Sequence, residues 1–177
     1  VLTFRKQGRR KAFAAQLADR KVMLAGAVET RDRKGGVGRV GEYMMLRSAA
    51  NDAGSYGCSL FVNVDRAVAS AHKRAWKIRE NHVTVMVAEP RLLLVSIAAP
   101  GLFALAVVGH APHTDVDAAE EYWKHVVRQV KRHQRPRQVV IGLYDTNGQI
   151  GCEITAATGG FGRGSSSAIG VEYVKAM

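Results

Sequence analysis

Three strand-length apolar runs follow one another with almost nothing between them: residues 82–88, 91–98 and 102–110. The breaks are Glu89-Pro90 and Ala99-Pro100-Gly101. Proline cannot donate to a sheet ladder and Pro-Gly makes a tight turn, so this spacing predicts an antiparallel meander. No run approaches the ~18 residues of a membrane-spanning helix. A chain of 177 residues that is 47% hydrophobic has material for one buried core.

Around the meander the pattern is mixed. Residues 9–20 fit a short helix, with Phe13 and Leu17 on one face and Arg9, Arg10, Lys11 and Arg20 outside. Residues 22–28 are a compact apolar run of buried-strand length. Residues 31–41 are basic and glycine-rich and are expected as a loop. Residues 42–48 alternate weakly. Residues 56–64 alternate well, with Cys58, Leu60 and Val62 on one face and Ser59, Phe61 and Asn63 on the other. Residues 65–80 are expected as a surface loop or short helix.

The best helix is 116–133, where Ala119, Tyr122, Trp123, Val126, Val127 and Val130 form a broad stripe opposite Lys124, Arg128 and Lys131. Thr114 is the expected cap, with Asp117 three residues on. Trp123 and Tyr122 lie on the stripe and are expected in the core. Residues 138–143 are expected as a buried strand, 159–167 as a Gly/Ser-rich loop and 168–176 as a further helix. Strands, a meander, a helix and a strand suggest α+β rather than strict βαβ alternation.

Twenty-six Lys/Arg face fifteen Asp/Glu, a net charge of +11. The excess is clustered: residues 1–40 hold eleven Lys/Arg against Asp19, Glu29 and Asp32, and 124–137 hold six with no acid. Such blocks favour a polyanionic partner, because each neutralised phosphate releases condensed counterions. The alternative is a solvated basic face that only aids solubility. Cys58 and Cys152 stand far apart with no CxxC pair. That excludes a disulfide framework, disfavours structural zinc and suits core packing in a reducing, intracellular compartment, the nucleus included.

Several strands run into polar residues that can carry chemistry. They end at Glu29, Asn63, His110-Ala-Pro-His113 and Asp145-Thr-Asn147-Gly148. A side chain there sits at a sheet rim, next to the core but wet, where carboxylate and amide oxygens can meet a hard cation. Each motif alone is better explained as a turn, and it is the recurrence of such ends in one basic chain that points to chemistry. Lys34-Gly-Gly-Val-Gly-Arg-Val-Gly41 lacks the Lys-Ser/Thr of a phosphate loop.

The succession Leu24-Ala-Gly-Ala-Val-Glu29-Thr-Arg31, Tyr56-Gly-Cys-Ser-Leu-Phe-Val-Asn63, Val107-Val-Gly-His110-Ala-Pro-His113 and Val140-Ile-Gly-Leu-Tyr-Asp145-Thr-Asn147-Gly148 resembles the endonuclease/exonuclease/phosphatase superfamily. Within it, the chain is most similar to the endonuclease domains joined to reverse transcriptases of non-LTR retrotransposons. The resemblance spans 1–177 and implies a four-layer α/β sandwich, here a partial domain incomplete at both ends. It also implies Mg²⁺-dependent phosphodiester cleavage of DNA, with Mn²⁺ as a substitute. It casts Glu29 as metal ligand, His110 as a contact to the scissile phosphate, Asp145 as the acceptor for the attacking water and Asn147 as a phosphate-oxygen ligand. Arg31, Arg33, Lys34, Arg39 and His113 are the expected nucleic-acid contacts. A parent chain carrying a reverse transcriptase is implied as well.

The pattern is not complete. Val28 replaces the family's glutamine, and Leu143 and Tyr144 separate Gly142 from Asp145. The family's N-terminal Asn and C-terminal Ser-Asp-His are expected outside residues 1–177. The expectation is therefore a weak or inactive nuclease, and the alternative is a non-catalytic nucleic-acid-binding remnant.

Overall fold

A computed structural model describes Phe4 and residues 8–71, 74–113, 115–148 and 165–176. It is a mixed α+β structure with several sheets and few helices. It divides into two compact units: Val1–Gly109 with Gln134–Leu143, and His110–His133 with Tyr144–Met177.

In the first unit, helix α1 (Arg9–Asp19) precedes strands β1 (Leu24–Ala27), β2 (Gly36–Val40), β3 (Tyr43–Arg47) and β4 (Ser59–Asn63). These strands form a sheet ordered β1-β4-β3-β2, in which each neighbouring pair runs antiparallel. Strands β3 and β4 are buried almost throughout because both faces of the sheet are covered. On one face Tyr43, Met45 and Phe61 pack with Phe4, Phe13, Ala14 and Leu17. Phe4, Phe13 and Phe61 meet one another at centroid distances of 5.2–5.8 Å. On the other face Met44, Leu46, Cys58, Leu60 and Val62 join the main core with residues of the second sheet.

The second sheet contains the meander: β7 (Val83–Glu89), β8 (Leu92–Ala99) and β9 (Leu102–His110), with β10 (Val139–Asp145) beside β9. The register sets Glu89 opposite Leu92 and Ala99 opposite Leu102, as the two Pro-containing turns demand. Leu93, Val95, Ile97, Ala106 and Val108 point into the main core. Helix α1, the first sheet and the second sheet are thus three stacked layers.

Between the sheets in sequence lie β5 (Ala67–Ala71) and β6 (Arg74–Lys77), a two-stranded antiparallel ribbon, followed by a 3₁₀ turn at Glu80–His82. The loop or short helix expected over 65–80 is therefore mostly a β-ribbon. Likewise, the loop expected over 31–41 contains β2, which pairs residue by residue with β3. Its glycines give it little strand propensity of its own, and the ladder supplied by β3 decides the outcome. The buried strand expected over 138–143 is an edge strand instead, with Val139 56% and Val140 41% exposed. Gln138, just before it, donates from Nε2 to Ala104 O and Ser96 Oγ, both at 2.9 Å.

The second unit is built on helix α2 (Val116–His133) and helix α3 (Ala168–Ala176). The apolar stripe of α2 buries Ala119, Tyr122, Trp123 and Val126. Trp123 meets Tyr144 and Tyr173 edge-on at 5.2 and 4.9 Å, so both aromatic residues of the stripe are core. The expected cap Thr114 lies outside the described residues, and Asp115 does that work. Its Oδ1 accepts the N–H groups of Asp117 at 2.9 Å and Ala118 at 3.3 Å. Cys152 and most of the expected 159–167 loop also lie outside the described residues. No helix among the described residues is long and apolar enough to cross a membrane.

Candidate functional site

The sequence-derived residues fall into two groups, one in each unit. In the first unit, β1 runs into Glu29-Thr30-Arg31, which turns sharply. Glu29 and Arg31 both take left-handed backbone angles, each with φ 53°. Between them Thr30 is fully buried. Its N–H donates to Gly57 O at 3.1 Å, and the Arg31 N–H donates to Tyr56 O at 2.7 Å. Gly57 (φ 92°) has no space for a side chain, since a Cβ there would stand 2.7 Å from Thr30 Oγ1. The Gly57 N–H in turn donates to Pro90 O at 2.8 Å. Non-glycine residues in the left-handed region cost free energy and persist where surrounding structure holds them. Here the Tyr56-Gly57 carbonyls hold them, leaving Glu29 and Arg31 half-buried at the rim.

Asp32 anchors the chain as it leaves this turn. Its Oδ2 accepts Arg10 Nη2 at 2.8 Å and Arg47 Nη1 at 2.7 Å. Arg10, expected outside on α1, is therefore turned inward. Beyond Asp32, Arg33 and Lys34 are exposed. Arg39 on β2 is exposed too but is engaged by Asp65 Oδ2 at 2.6 Å. The Arg91 guanidinium lies over the Tyr56 ring, 3.8 Å from its centroid. Asn63 does not share this rim. It stands at the opposite end of β4, fully buried, accepting the N–H groups of Asp65 and Arg66 and donating to Glu42 at 3.0 Å. Its role is to build a turn.

The other group occupies the second unit. His110 is buried, and Asp145 is exposed. The two strand ends are tied together: Ala111 N–H donates to Asp145 O at 2.9 Å, and Asn147 Nδ2 donates to Ala111 O at 2.6 Å. Asn147 N–H donates to Asp145 Oδ1 at 3.1 Å. Asn147 sits at φ 48°, a conformation asparagine tolerates better than most residues. Gly148 is required by contact, because a Cβ there would come within 2.5 Å of Gly170 N in α3. The extra Leu143 and Tyr144 therefore leave Asp145 and Asn147 bonded to each other and to the residue after His110. His113 is exposed.

Two further features have local explanations. Burial pushes the Cys58 thiol up to about 12, against smaller downward pulls from the Ser48 hydrogen bond and the Arg91 charge. This buried cysteine is a packing residue. A groove of about 170 Å³ between α2 and α3 is lined by Trp123, Glu120, Lys124, Glu172 and Lys175. Its charges are already matched, Lys124 with Glu120 and Lys175 with Glu172, both at 2.6 Å.

Among the described residues no cluster of three His, Cys, Asp or Glu forms a ready-made cation cage. Mg²⁺ keeps several waters and is commonly held by one or two carboxylates. The half-buried Glu29 carboxylate fits such a donor set.

Sequence reasoning singled out Glu29, His110, Asp145 and Asn147 as candidates but not the residues that hold them in place. Tyr56, Gly57 and Asp32 act through carbonyls or distant partners. The Tyr56-Gly57 pair was visible as the start of an alternating strand and of one resembling segment, but not as the support of the Glu29 turn.

No protein-family pattern matches the chain, and no curated protein matches it in sequence. Among solved structures it is similar to a crystal structure of humanized D. rerio TDP2 carrying 14 mutations, with 14% identity and a TM-score of 0.48. The match covers 77% of this chain and 54% of that one, so the chain spans about half the length of that structure.

Proposed function

We propose that the chain is a nuclease-type domain of the endonuclease/exonuclease/phosphatase superfamily, of its four-layer sandwich type, that hydrolyses phosphodiesters in DNA with Mg²⁺ or Mn²⁺. The observation that carries this reading is the hydrogen-bonded set Asp145–Asn147–Ala111 directly after His110. It combines a wet carboxylate, an oriented carboxamide and a buried imidazole, the residue types that phosphodiester hydrolysis requires.

In this mechanism Asp145 accepts the proton of the attacking water as its oxygen bonds to phosphorus. The bond from phosphorus to the leaving sugar oxygen then breaks, and that oxygen takes a proton from solvent water while Asp145 returns its own to solvent. Asn147, steered by the Ala111 carbonyl, donates an amide hydrogen to a phosphate oxygen. His110 stabilises the negative charge that builds on the phosphorane. Glu29 is the residue that would hold the divalent ion, whose contribution when bound is Lewis acidity toward the phosphate. Arg31, Arg33, Lys34, Arg39 and His113 are the nucleic-acid contacts of this reading, and a reverse transcriptase in the parent chain remains part of it.

Nicking of supercoiled plasmid tests it. The expected result is relaxation that requires Mg²⁺ or Mn²⁺ and stops in EDTA. Asp145→Asn should slow nicking by about 10²–10⁴-fold while duplex binding persists. Equal nicking in EDTA, or the parental rate in Asp145→Asn, would sink the mechanism. Binding without any nicking would establish the non-catalytic remnant instead.

A further inference from the structure

We propose that the β5–β6 ribbon is a second nucleic-acid surface, a docking arm for duplex DNA placed away from the Glu29 turn. The sequence from Arg66 to Arg79 contains five Lys/Arg and no acid. Of the flanking acids, Asp65 is already engaged by Arg39, which leaves Glu80. In the structure Arg74, Lys77 and Arg79 are all exposed. Strand β6 itself carries no acid, and Glu80 beside Arg79 is the one flanking acid left, so the stretch keeps a net positive charge that favours phosphate over a mixed-charge protein surface.

The shape supports the same partner. The strand facing these cations is made of small residues, Ala67, Val68, Ala69, Ser70 and Ala71. Val68 and Ile78 pack into the main core, and Ala69 lies against Gly101 in the turn between β8 and β9. Four residues of β6 extend about 13 Å, and paired strands lie about 5 Å apart. A two-stranded ribbon of this width fits the major groove of B-DNA, about 12 Å wide.

The location separates the arm from the Glu29 turn within the first unit. Thr30 and Arg31 bond to Tyr56 and Gly57 ahead of β4, and Gly57 bonds to Pro90 between β7 and β8. The ribbon follows the other end of β4, after Asn63, and touches the turn at the other end of β8. The proposal rests on charge and shape and is independent of cleavage.

Trp76, half-buried opposite Ala69, is a built-in reporter, whereas Trp123 is 1% exposed in the second unit. Titrating a random 20-base-pair duplex should change tryptophan emission in the parental protein but not in Trp76→Phe. The log–log salt slope of binding should fall by about 0.9 for Arg74→Ala and by about 2–3 for the Arg74→Ala/Lys77→Ala/Arg79→Ala triple variant. The charge-preserving Arg74→Lys variant should keep the parental slope, and circular dichroism should show every variant folded. An unchanged slope in both folded alanine variants, or tighter binding of a single strand or an acidic peptide than of the duplex, overturns the proposal. Loss of nicking in Asp145→Asn with the ribbon's slope contribution intact would leave the arm standing, and a normal nicking rate with no slope change would remove the arm alone.

Discussion

At the residue scale, the Glu29 turn is held by a contact that leaves no room for one more carbon. Gly57 is at φ 92°, with Thr30 Oγ1 in the space a side chain would need. Gly57→Ala should therefore destabilise the protein by about 1–3 kcal/mol, measured by urea denaturation, and loosen Glu29 at the same time. A variant as stable as the parent would show that the turn relaxes freely. Asp32 is the second support. Asp32→Ala leaves Arg10 and Arg47 facing each other without their shared carboxylate, which should cost about 3 kcal/mol. Glu29 and Asp145 were legible as carboxylates following apolar strands. Asp32 was not, because its partners lie 22 and 15 residues away and no local pattern links them. Cys58 gives a pH prediction. Its folded thiol is raised to about 12, so the unfolded chain ionises first as pH climbs past the usual thiol range. This contribution is fully present below that range and is lost as pH rises toward 12. Replacing Cys58 with Ala should flatten that part of the stability–pH curve, and an unchanged curve would mean that other groups set the alkaline limit.

At the element scale, periodicity was enough wherever one face of an element decides its fate. Helix α2 and the three meander strands appear where apolar spacing and proline put them. Periodicity failed where pairing partners decide. Strand β2 contains Gly36 and Gly38 and is exposed almost throughout, so nothing in its own residues demands a strand. Strand β5 is alanine-rich, and its register shifts between Ala67 and Ala69, which erases any clean alternation. Strand β10 was legible as a strand, but an apolar run cannot say whether a neighbour will cover it. The cap of α2 is testable by itself. Asp115→Ala removes the acceptor for the N–H groups of Asp117 and Ala118 and should lower stability by about 1 kcal/mol, read from the urea midpoint. Asp115→Asn should recover most of that loss, and failure to do so would assign the effect to charge at the helix end rather than to capping.

At the scale of the whole molecule, the proposed binding and the proposed cutting draw on different resources. Attraction to a polyanion is spread over 26 Lys/Arg and a net charge of +11, whereas the proposed chemistry depends on a few groups: Glu29, His110, Asp145 and Asn147. In the proposed mechanism, removing the divalent ion would delete two positive charges near Glu29 and leave every Lys and Arg in place. Affinity for random duplex DNA should therefore survive EDTA, while nicking should stop. The log–log dependence of binding on salt should stay steep in both conditions, with a slope of about −0.9 for each phosphate neutralised. Exposed residues such as Arg33 and Lys34 should contribute to that slope directly, and Arg39 should contribute less because Asp65 already holds it. Fluorescence anisotropy across a salt series, run with Mg²⁺ and with EDTA, reads both terms on one sample. A flat response to salt would show that the basic blocks only solvate the surface. Binding that disappears with the metal would show that the ion, rather than the distributed charge, holds the DNA.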